Sequence, residues 1–164
     1  MKKVKDFKFP YRAKPRWASN NPEALAITCS DLLDKSWSDA TSAVRKEGKG
    51  VILLSDSELT AIMIPVNIMQ EFYDKAPDLK DVDIVGYVSE IDLKNDFDNY
   101  RSRLMSGENL IVLDESEAQL FAIACRKFSS VLETDENGVV KFRENTFDDD
   151  ICDLSDDILN HFTI

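Results

Sequence analysis

The hydrophobic and polar positions of this chain follow the same order twice. A short apolar run at residues 24–29 precedes apolar residues at helical spacing, and that pattern ends at Gly48. A second run at residues 83–88 precedes a similar pattern, which ends at Gly107. Each half is therefore predicted to begin with a strand and an amphipathic helix that a glycine terminates.

The first turn of each predicted helix carries a capping signal. Ser30-Asp31 and Ser89-Glu90 place a hydroxyl and a carboxylate where the N-terminus of a helix favours them. Trp37 and Phe97 are one register apart in the two halves. We therefore expect the helix to be broken at these aromatic residues.

Hairpins and short closing helices complete the pattern. Apolar runs separated by acidic turns predict strands at residues 50–54, 58–66, 109–113 and 117–125. Closing helices are predicted at residues 67–75 and 126–133. Asn137-Gly138, between apolar residues at 131–134 and 139–142, predicts one more hairpin that extends a sheet. The order of elements is that of an α+β protein.

The two halves also share residues. At a constant offset of 59, nine of 44 positions between residues 30 and 73 are identical to their counterparts, whereas ordinary composition gives about two or three. This favours a tandem duplication, and the alternative is two unrelated stretches with a common hydrophobic rhythm. The identical pairs are Ser30/Ser89, Lys35/Lys94, Asp39/Asp98, Gly48/Gly107, Ile52/Ile111, Leu54/Leu113, Ser57/Ser116, Glu58/Glu117 and Ile64/Ile123.

Charge divides the chain into four segments. The first 22 residues carry six net positive charges, with Phe7, Phe9, Tyr11 and Trp17 between the basic residues, and prolines are expected to keep them extended. The remaining segments carry net charges of −4, −6 and −7, within a total of −11. The predicted organisation is a basic arm (1–22), copy one (23–80), copy two (81–133) and an acidic tail (134–164).

The composition offers little material for catalysis. His161 is the single histidine, and the five glycines are too dispersed for a phosphate-binding loop. Cys29, Cys125 and Cys152 are widely spaced, which favours neither a zinc site nor a disulfide framework. We expect no cofactor, no metal and no enzymatic activity. A carboxylate-based enzyme is the alternative, and it needs a concave site that the pattern does not indicate.

Location follows from the same arithmetic. The longest apolar run, residues 59–69, is interrupted by Thr60, Pro65 and Asn67, so no membrane span or secretory signal is expected. An odd number of cysteines is typical of a reducing compartment. The expected location is the cytoplasm.

The order strand, helix, hairpin, helix brings a family into view. The phrases Ile27-Thr-Cys-Ser-Asp-Leu-Leu and Gly50-Val-Ile-Leu-Leu-Ser-Asp-Ser-Glu-Leu-Thr-Ala-Ile-Met-Ile-Pro resemble the Phd/YefM family of bacterial type II antitoxins. The resemblance covers residues 24–75 and, through the repeat, residues 83–133. It implies small domains that pair side by side, bind operator DNA through the first strand and helix, and neutralise a toxin with a C-terminal segment. Two copies in one chain resemble a fused pseudo-dimer.

Basic residues of the arm and the first helices are the candidate DNA contacts. Backbone phosphates attract lysine and arginine, and aromatic side chains between them suit stacking. The candidates are Lys2, Lys3, Lys5, Lys8, Arg12, Lys14, Arg16, Lys35 and Lys94. The alternatives for the arm are a solubilising extension, or one whose aromatic residues pack over the acidic copies.

The acidic tail is the candidate site for a protein partner. Its apolar residues share one helical face between aspartates, which predicts an acidic amphipathic helix. Such a helix fits a partner's groove, or it packs on its own chain. The candidates are Ile151, Leu154, Ile158, Leu159 and Phe162.

Two hypotheses for function follow. The first is an antitoxin-like regulator that binds double-stranded DNA through the arm and the pseudo-dimer, and a toxin-like protein through the tail. The second is an interaction factor, such as a phage or mobile-element product, that binds a host protein without recognising DNA. In the family a basic residue lies early in the first helix, but here Asp34 and Asp92 lie there and oppose phosphate, which favours the second. The chain is a monomer with an internal pseudo-dimer, or a higher homo-oligomer.

Overall fold

The structure is a computed structural model that describes residues 1–11, 13–56, 58–75, 84–144 and 146–147. Its strands are β1 (Lys2–Lys3), β2 (Leu25–Thr28), β3 (Val51–Ser55), β4 (Glu58–Ile64), β5 (Ile84–Ser89), β6 (Glu108–Leu113), β7 (Gln119–Cys125), β8 (Leu132–Thr134) and β9 (Val140–Phe142). Its α-helices are α1 (Arg16–Ser19), α2 (Cys29–Asp31), α3 (Trp37–Glu47), α4 (Val66–Lys75), α5 (Glu90–Asn95) and α6 (Phe97–Met105). A π-helical segment covers Leu32–Ser36, and 3₁₀ segments cover Val4–Asp6 and Arg126–Val131. The chain has the predicted mixed α+β character.

Seven strands form one mixed sheet in the order β1-β2-β3-β4-β7-β6-β5. The strands on each side of the centre have the same pairing: β2–β3 and β5–β6 are parallel, and β3–β4 and β6–β7 are antiparallel. At the centre, β4 and β7 pair antiparallel from Ala61 opposite Cys125 to Ile64 opposite Ala122. Two three-stranded units therefore meet edge to edge in one continuous sheet.

Both faces of this sheet are covered. Val51, Ile52 and Leu53 of β3 are all fully buried, although consecutive residues of a strand point to opposite faces. Strands that are buried on both sides have continuous apolar runs, as here. We call the side covered by α2, α3, α5 and α6 the helix face. The opposite side, covered by residues of the arm, α1, α4 and Arg126–Val131, is the arm face.

The closing helices of the two halves pack together on the arm face. The ring of Phe72 in α4 lies 4.6 Å from that of Phe128, centroid to centroid, in an edge-on arrangement. Phe142 and Phe147 extend the cluster, with centroids 6.3 and 6.2 Å from Phe72. Buried aromatic pairs of this geometry stabilise a core beyond the area that they bury.

Residues after β7 depart from the predicted pattern. The expected closing helix at residues 126–133 is a 3₁₀ segment that ends at Val131, because Leu132 already pairs in β8. The hairpin around Gly138 is present, and its glycine has the positive φ of 84° that this turn requires. It forms a separate two-stranded sheet instead of extending the main one, which it contacts through the bridge between Lys49 and Val139.

Helix starts and breaks agree with the sequence in part. Ser89 caps α5 as predicted, since its hydroxyl accepts a hydrogen bond from the backbone amide of Asp92. In the first half the cap is Thr28, whose hydroxyl accepts from Asp31, so the prediction of Ser30 was wrong. The predicted break in each helix is confirmed. It is the π-helical segment Leu32–Ser36 in the first half and Asp96 in the second.

The offset between the halves is not constant. The bulges of the two hairpins lie at Leu53/Leu54 and Val112/Leu113, which are 59 residues apart. Opposite them, Thr28 pairs with Leu54 and Ser89 pairs with Leu113, so the first strands are 61 residues apart. The ungapped comparison is therefore wrong before Gly48 and Gly107. The first half accommodates two more residues between these strands, and π-helical turns are the usual way for a helix to absorb an insertion.

Asn109 offers a test of the packing between α4 and the sheet. Its fully buried side chain accepts a hydrogen bond from the Cys125 amide at 2.8 Å and donates one to the Tyr73 hydroxyl at 3.1 Å. We expect Asn109→Ala to lower the free energy of unfolding by about 2–4 kcal/mol, because two buried groups lose this partner. Urea denaturation measures this loss. The exposed Asn67→Ala is the control, and an Asn109→Ala chain as stable as the control would contradict the expectation.

Candidate functional site

The first helical turns of the two halves meet on the helix face around Trp37. The indole Nε1 of Trp37 donates a hydrogen bond to the Glu90 carboxylate at 2.8 Å, across 53 residues of sequence. The Lys94 ammonium lies 5.3 Å from the centre of the Trp37 ring, and Phe121 of β7 packs edge-on against the same ring at 6.0 Å. This contact makes one continuous surface of α2, the π-helical segment and α5.

That surface is acidic. Residues 28–40 and 89–99 contain seven acidic residues and two lysines. Six of the seven carboxylates are exposed to solvent, while Glu90 is half-buried against Trp37. We call this set the acidic helical surface. Its exposed members are Asp31, Asp34, Asp39, Asp92, Asp96 and Asp98.

Both lysines of the surface are engaged within the chain. Lys35 lies 3.9 Å from the Asp31 carboxylate, one helical turn away, and Lys94 lies over Trp37. Lys35 and Lys94 were predicted to contact DNA phosphates. They are instead surrounded by carboxylates of their own turns, which repel an approaching phosphate.

Arg101 of α6 further ties the halves together at the border of this surface. Its guanidinium donates a hydrogen bond to the Ser55 hydroxyl at 2.7 Å, at the end of β3. It also lies 3.6 Å from Asp98 and 4.0 Å from Asp56. The charge of Arg101 is therefore directed to the turn between β3 and β4.

The arm is folded against the sheet, so the expectation of an extended arm is wrong. Lys2 and Lys3 form β1, which pairs antiparallel with Ala26 and Leu25 at the outer edge of β2. Apolar burial explains this, because the side chains of the arm cover the arm face: Val4, Phe7, Phe9, Ala13, Trp17 and Ala18. Packing of aromatic residues over copy one was the alternative that the sequence left open.

The arm's basic groups differ in their freedom to bind a ligand. Lys3 forms an ion pair with Glu23 at 2.7 Å, and its hydrogen bond lowers the pKa of the Glu23 carboxyl. Lys2 and Lys14 lie over the rings of Phe7 and Phe9, at 5.8 and 5.6 Å from their centres. The remaining described basic residues of the arm, Lys5, Lys8 and Arg16, are exposed at the β2 end of the sheet.

Several predicted site residues lie outside the described part of the chain. Arg12 is one of them, and the whole predicted partner helix is another. Its residues Ile151, Leu154, Ile158, Leu159 and Phe162 therefore remain predictions. Conversely, the contact between Trp37 and Glu90 was missed. Its only signal in the sequence was the predicted helix break at Trp37.

The described residues show little reactive chemistry. Burial raises the pKa of the Cys29 thiol to about 11, although a hydrogen bond with Thr60 opposes the shift, so the thiol stays protonated at neutral pH. No group of three or more histidine, cysteine, aspartate or glutamate side chains in the described residues is arranged to hold a metal ion.

The helices of the described ranges were also examined for membrane spans. Within these ranges, no helix combines the length and the apolar character that crossing a bilayer requires.

Comparisons with protein-family models, curated proteins and solved structures gave no match to this chain. The surfaces described above must therefore be interpreted from their own chemistry.

The ion pair between Lys3 and Glu23 makes attachment of the arm depend on pH. Because the pKa of Glu23 is lowered in the folded chain, the stabilisation is present above the ordinary value of 4.5 and is lost as the pH falls through the lowered pKa. The Val4 amide, which donates to the Ala24 carbonyl at 2.7 Å, reports on attachment. We expect its hydrogen-exchange protection factor to fall below pH 4.5.

Glu23→Gln should lower that protection factor roughly two- to fivefold already at pH 7, and flatten its pH dependence. NMR-detected exchange measures both chains. Glu58→Gln, at an exposed residue of β4, is the control. Equal protection of Val4 in the native and Glu23→Gln chains at pH 7 would show that the ion pair does not hold the arm.

Proposed function

We propose that this chain is a non-enzymatic interaction factor that binds a basic surface of a partner protein through its acidic helical surface. The observation that carries the proposal is the union of two acidic turns around Trp37 and Glu90. Each turn alone is a short solvated segment. Together they present exposed carboxylates from both halves, and the two lysines between them are engaged within the chain. Clustered charge of one sign speeds association with a surface of opposite sign.

The symmetry of the sheet supports a common origin for the halves. We infer a tandem duplication of a strand-helix-hairpin-helix unit, similar to the Phd/YefM unit. Equivalent pairing on both sides of β4–β7, and hairpin bulges at Leu53/Leu54 and Val112/Leu113, support it. So do the caps Thr28 and Ser89, and Gly48 and Gly107, whose φ values of 70° and 104° end the helices. Fusion makes the pairing of such units independent of concentration.

The family resemblance also contributes to the partner hypothesis. In Phd/YefM antitoxins the C-terminal segment engages the toxin. The corresponding segment here, with Ile151, Leu154, Ile158, Leu159 and Phe162, is proposed to add an apolar contact to the acidic one. We place this interaction in the cytoplasm, on a toxin-like or host protein.

Charge reversal on the acidic helical surface tests the proposal. The tagged full-length chain is used to capture partners from a nuclease-treated bacterial lysate. We expect one protein to be retained in stoichiometric amount, and the double variant Asp34→Lys/Asp92→Lys to retain at least tenfold less of it, because like charges then face each other. Quantitative mass spectrometry measures the ratio.

A matched control separates local charge from net charge. Glu58→Lys/Glu136→Lys makes the same change in net charge at exposed residues outside the acidic helical surface and should retain the partner. Circular dichroism verifies that both variants fold. Equal loss in the two variants would overturn the assignment to this surface, and absence of any stoichiometric protein would overturn the interaction factor.

A second candidate is the antitoxin-like regulator, in which the arm binds double-stranded DNA. A specific observation favours it: Lys2, Lys5 and Lys8 remain exposed along one short segment at the β2 end of the sheet. The acidic helical surface would then point away from the duplex. Contacts to the phosphate backbone would come from the arm alone, which predicts weak sequence selectivity.

Salt dependence measures this second function directly. If these lysines neutralise phosphates, Lys2→Gln/Lys5→Gln/Lys8→Gln should reduce the slope of log affinity against log salt by about 2.7. Fluorescence anisotropy with a labelled DNA duplex measures the slope. Lys35→Gln/Lys46→Gln/Lys141→Gln removes the same charge elsewhere and should leave it unchanged. An unchanged slope in the arm variant would exclude the arm as a DNA contact.

A further inference from the structure

The two ends of the seven-stranded sheet are finished differently. At one end, β1 pairs with β2 and closes that edge. At the other end, β5 pairs with β6, and no strand of the described residues lies on its outer side. An open strand edge presents backbone amides and carbonyls to a further strand.

The ladders give the exact correspondence between the two edges. Leu25 and Ala26 of β2 lie opposite Val51 and Ile52 of β3. Gly86 and Tyr87 of β5 lie opposite Leu110 and Ile111 of β6 in the same way. Because Val51 and Leu110 precede the hairpin bulges by the same number of residues, Gly86 and Tyr87 occupy the positions that Leu25 and Ala26 occupy in the first half.

Burial differs sharply at these equivalent positions. Ala26 is completely buried beneath the arm, whereas Tyr87 has 60% of its surface exposed on the same face of the sheet. Val85, two residues earlier, is half-buried on that face as well. The site that the arm fills in the first half thus leaves an apolar strip uncovered by described residues in the second.

The surrounding charge is complementary to a basic segment. Glu90 follows the carboxyl end of β5, and Asp114 and Glu115 follow the carboxyl end of the neighbouring β6. A strand placed on β5 as β1 lies on β2 would run antiparallel, with its amino end near these carboxylates. β1 itself has this chemistry, since the amino terminus, Lys2 and Lys3 are followed by the apolar Val4.

We propose that the outer edge of β5 is a docking site for an extended basic segment of a partner protein, which adds to the sheet antiparallel as β1 does on β2. Backbone hydrogen bonds supply affinity in such strand addition, and side-chain contacts supply selectivity. Here the contacts are with Tyr87 and Val85 on the arm face, and with the acidic carboxyl end of the strand. The site goes beyond the proposed function, because it lies away from the acidic helical surface and does not depend on it.

A peptide with the sequence of residues 1–9 is the probe, because β1 is the template for the bound strand. The chain's own arm already occupies β2, so β5 is the open edge for a peptide added in trans. We expect saturable binding of the fluorescein-labelled peptide to the full-length chain, measured by anisotropy. Tyr87→Lys should raise the dissociation constant at least tenfold, since it removes an apolar contact and opposes the lysines of the peptide.

Tyr11→Lys is the matched control. It makes the same substitution at an exposed tyrosine near the other end of the sheet and should change the dissociation constant by less than twofold. Tyr87→Ser, which adds no charge, tests the apolar contact alone and keeps the test valid if Tyr87→Lys fails to fold. A peptide with glutamate in place of both Lys2 and Lys3 should bind at least tenfold more weakly to the native chain.

Three results would overturn the proposal. Absence of saturable binding, or equal binding by the Tyr87→Lys and Tyr11→Lys chains, removes the site. Tighter peptide binding by the full-length Leu154→Asp/Leu159→Asp variant would identify the chain's own tail as the occupant. A native dimer that Tyr87→Lys converts to a monomer in sedimentation would identify a second copy. Loss of partner retention in Asp34→Lys/Asp92→Lys with intact peptide binding would separate this site from the acidic helical surface.

Discussion

The antiparallel pairing of β4 with β7 is the contact on which the rest of the structure depends. It converts two three-stranded units into one sheet and leaves no open edge between them. Because strands at the centre of a sheet must be covered on both faces, the elements of each half extend over the seam. Trp37 hydrogen-bonds with Glu90 on the helix face, and Phe72 packs against Phe128 on the arm face. The seam is thus enclosed by contacts between halves on both sides.

Enclosing the seam also determines where charge accumulates. The helical turns that meet around Trp37 are acidic in both halves, so the contact joins their carboxylates into one surface. The basic arm is held at the far edge of β2 by β1 and by the burial of its apolar residues. A net charge of −11 therefore does not describe the molecule as a ligand would meet it. Partners of opposite charge would approach different parts of the surface.

Near-symmetry makes the differences between the halves informative. The first half keeps two more residues between its parallel strands, and the π-helical segment Leu32–Ser36 lies within them. The first half also has a strand on its outer edge, whereas Tyr87 lies exposed beside the outer edge of the second. Equivalent strands have thus acquired different neighbours. Divergence of this kind is open to fused copies, since each copy can change without altering the other.

Local pattern by itself determined most of the elements. Apolar runs located the strands around Ile52 and Ile111 to within a residue or two, and the glycines Gly48 and Gly107 ended the helices as predicted, because strand burial and helix termination depend on nearby residues. Tertiary structure decided what required distant residues to meet. The pairing of β4 with β7, the role of Trp37, the folding of the arm onto β2 and the separate β8–β9 sheet follow from side-chain packing across 50 or more residues. No periodicity within a segment encodes such contacts, since they depend on which buried surfaces fit together.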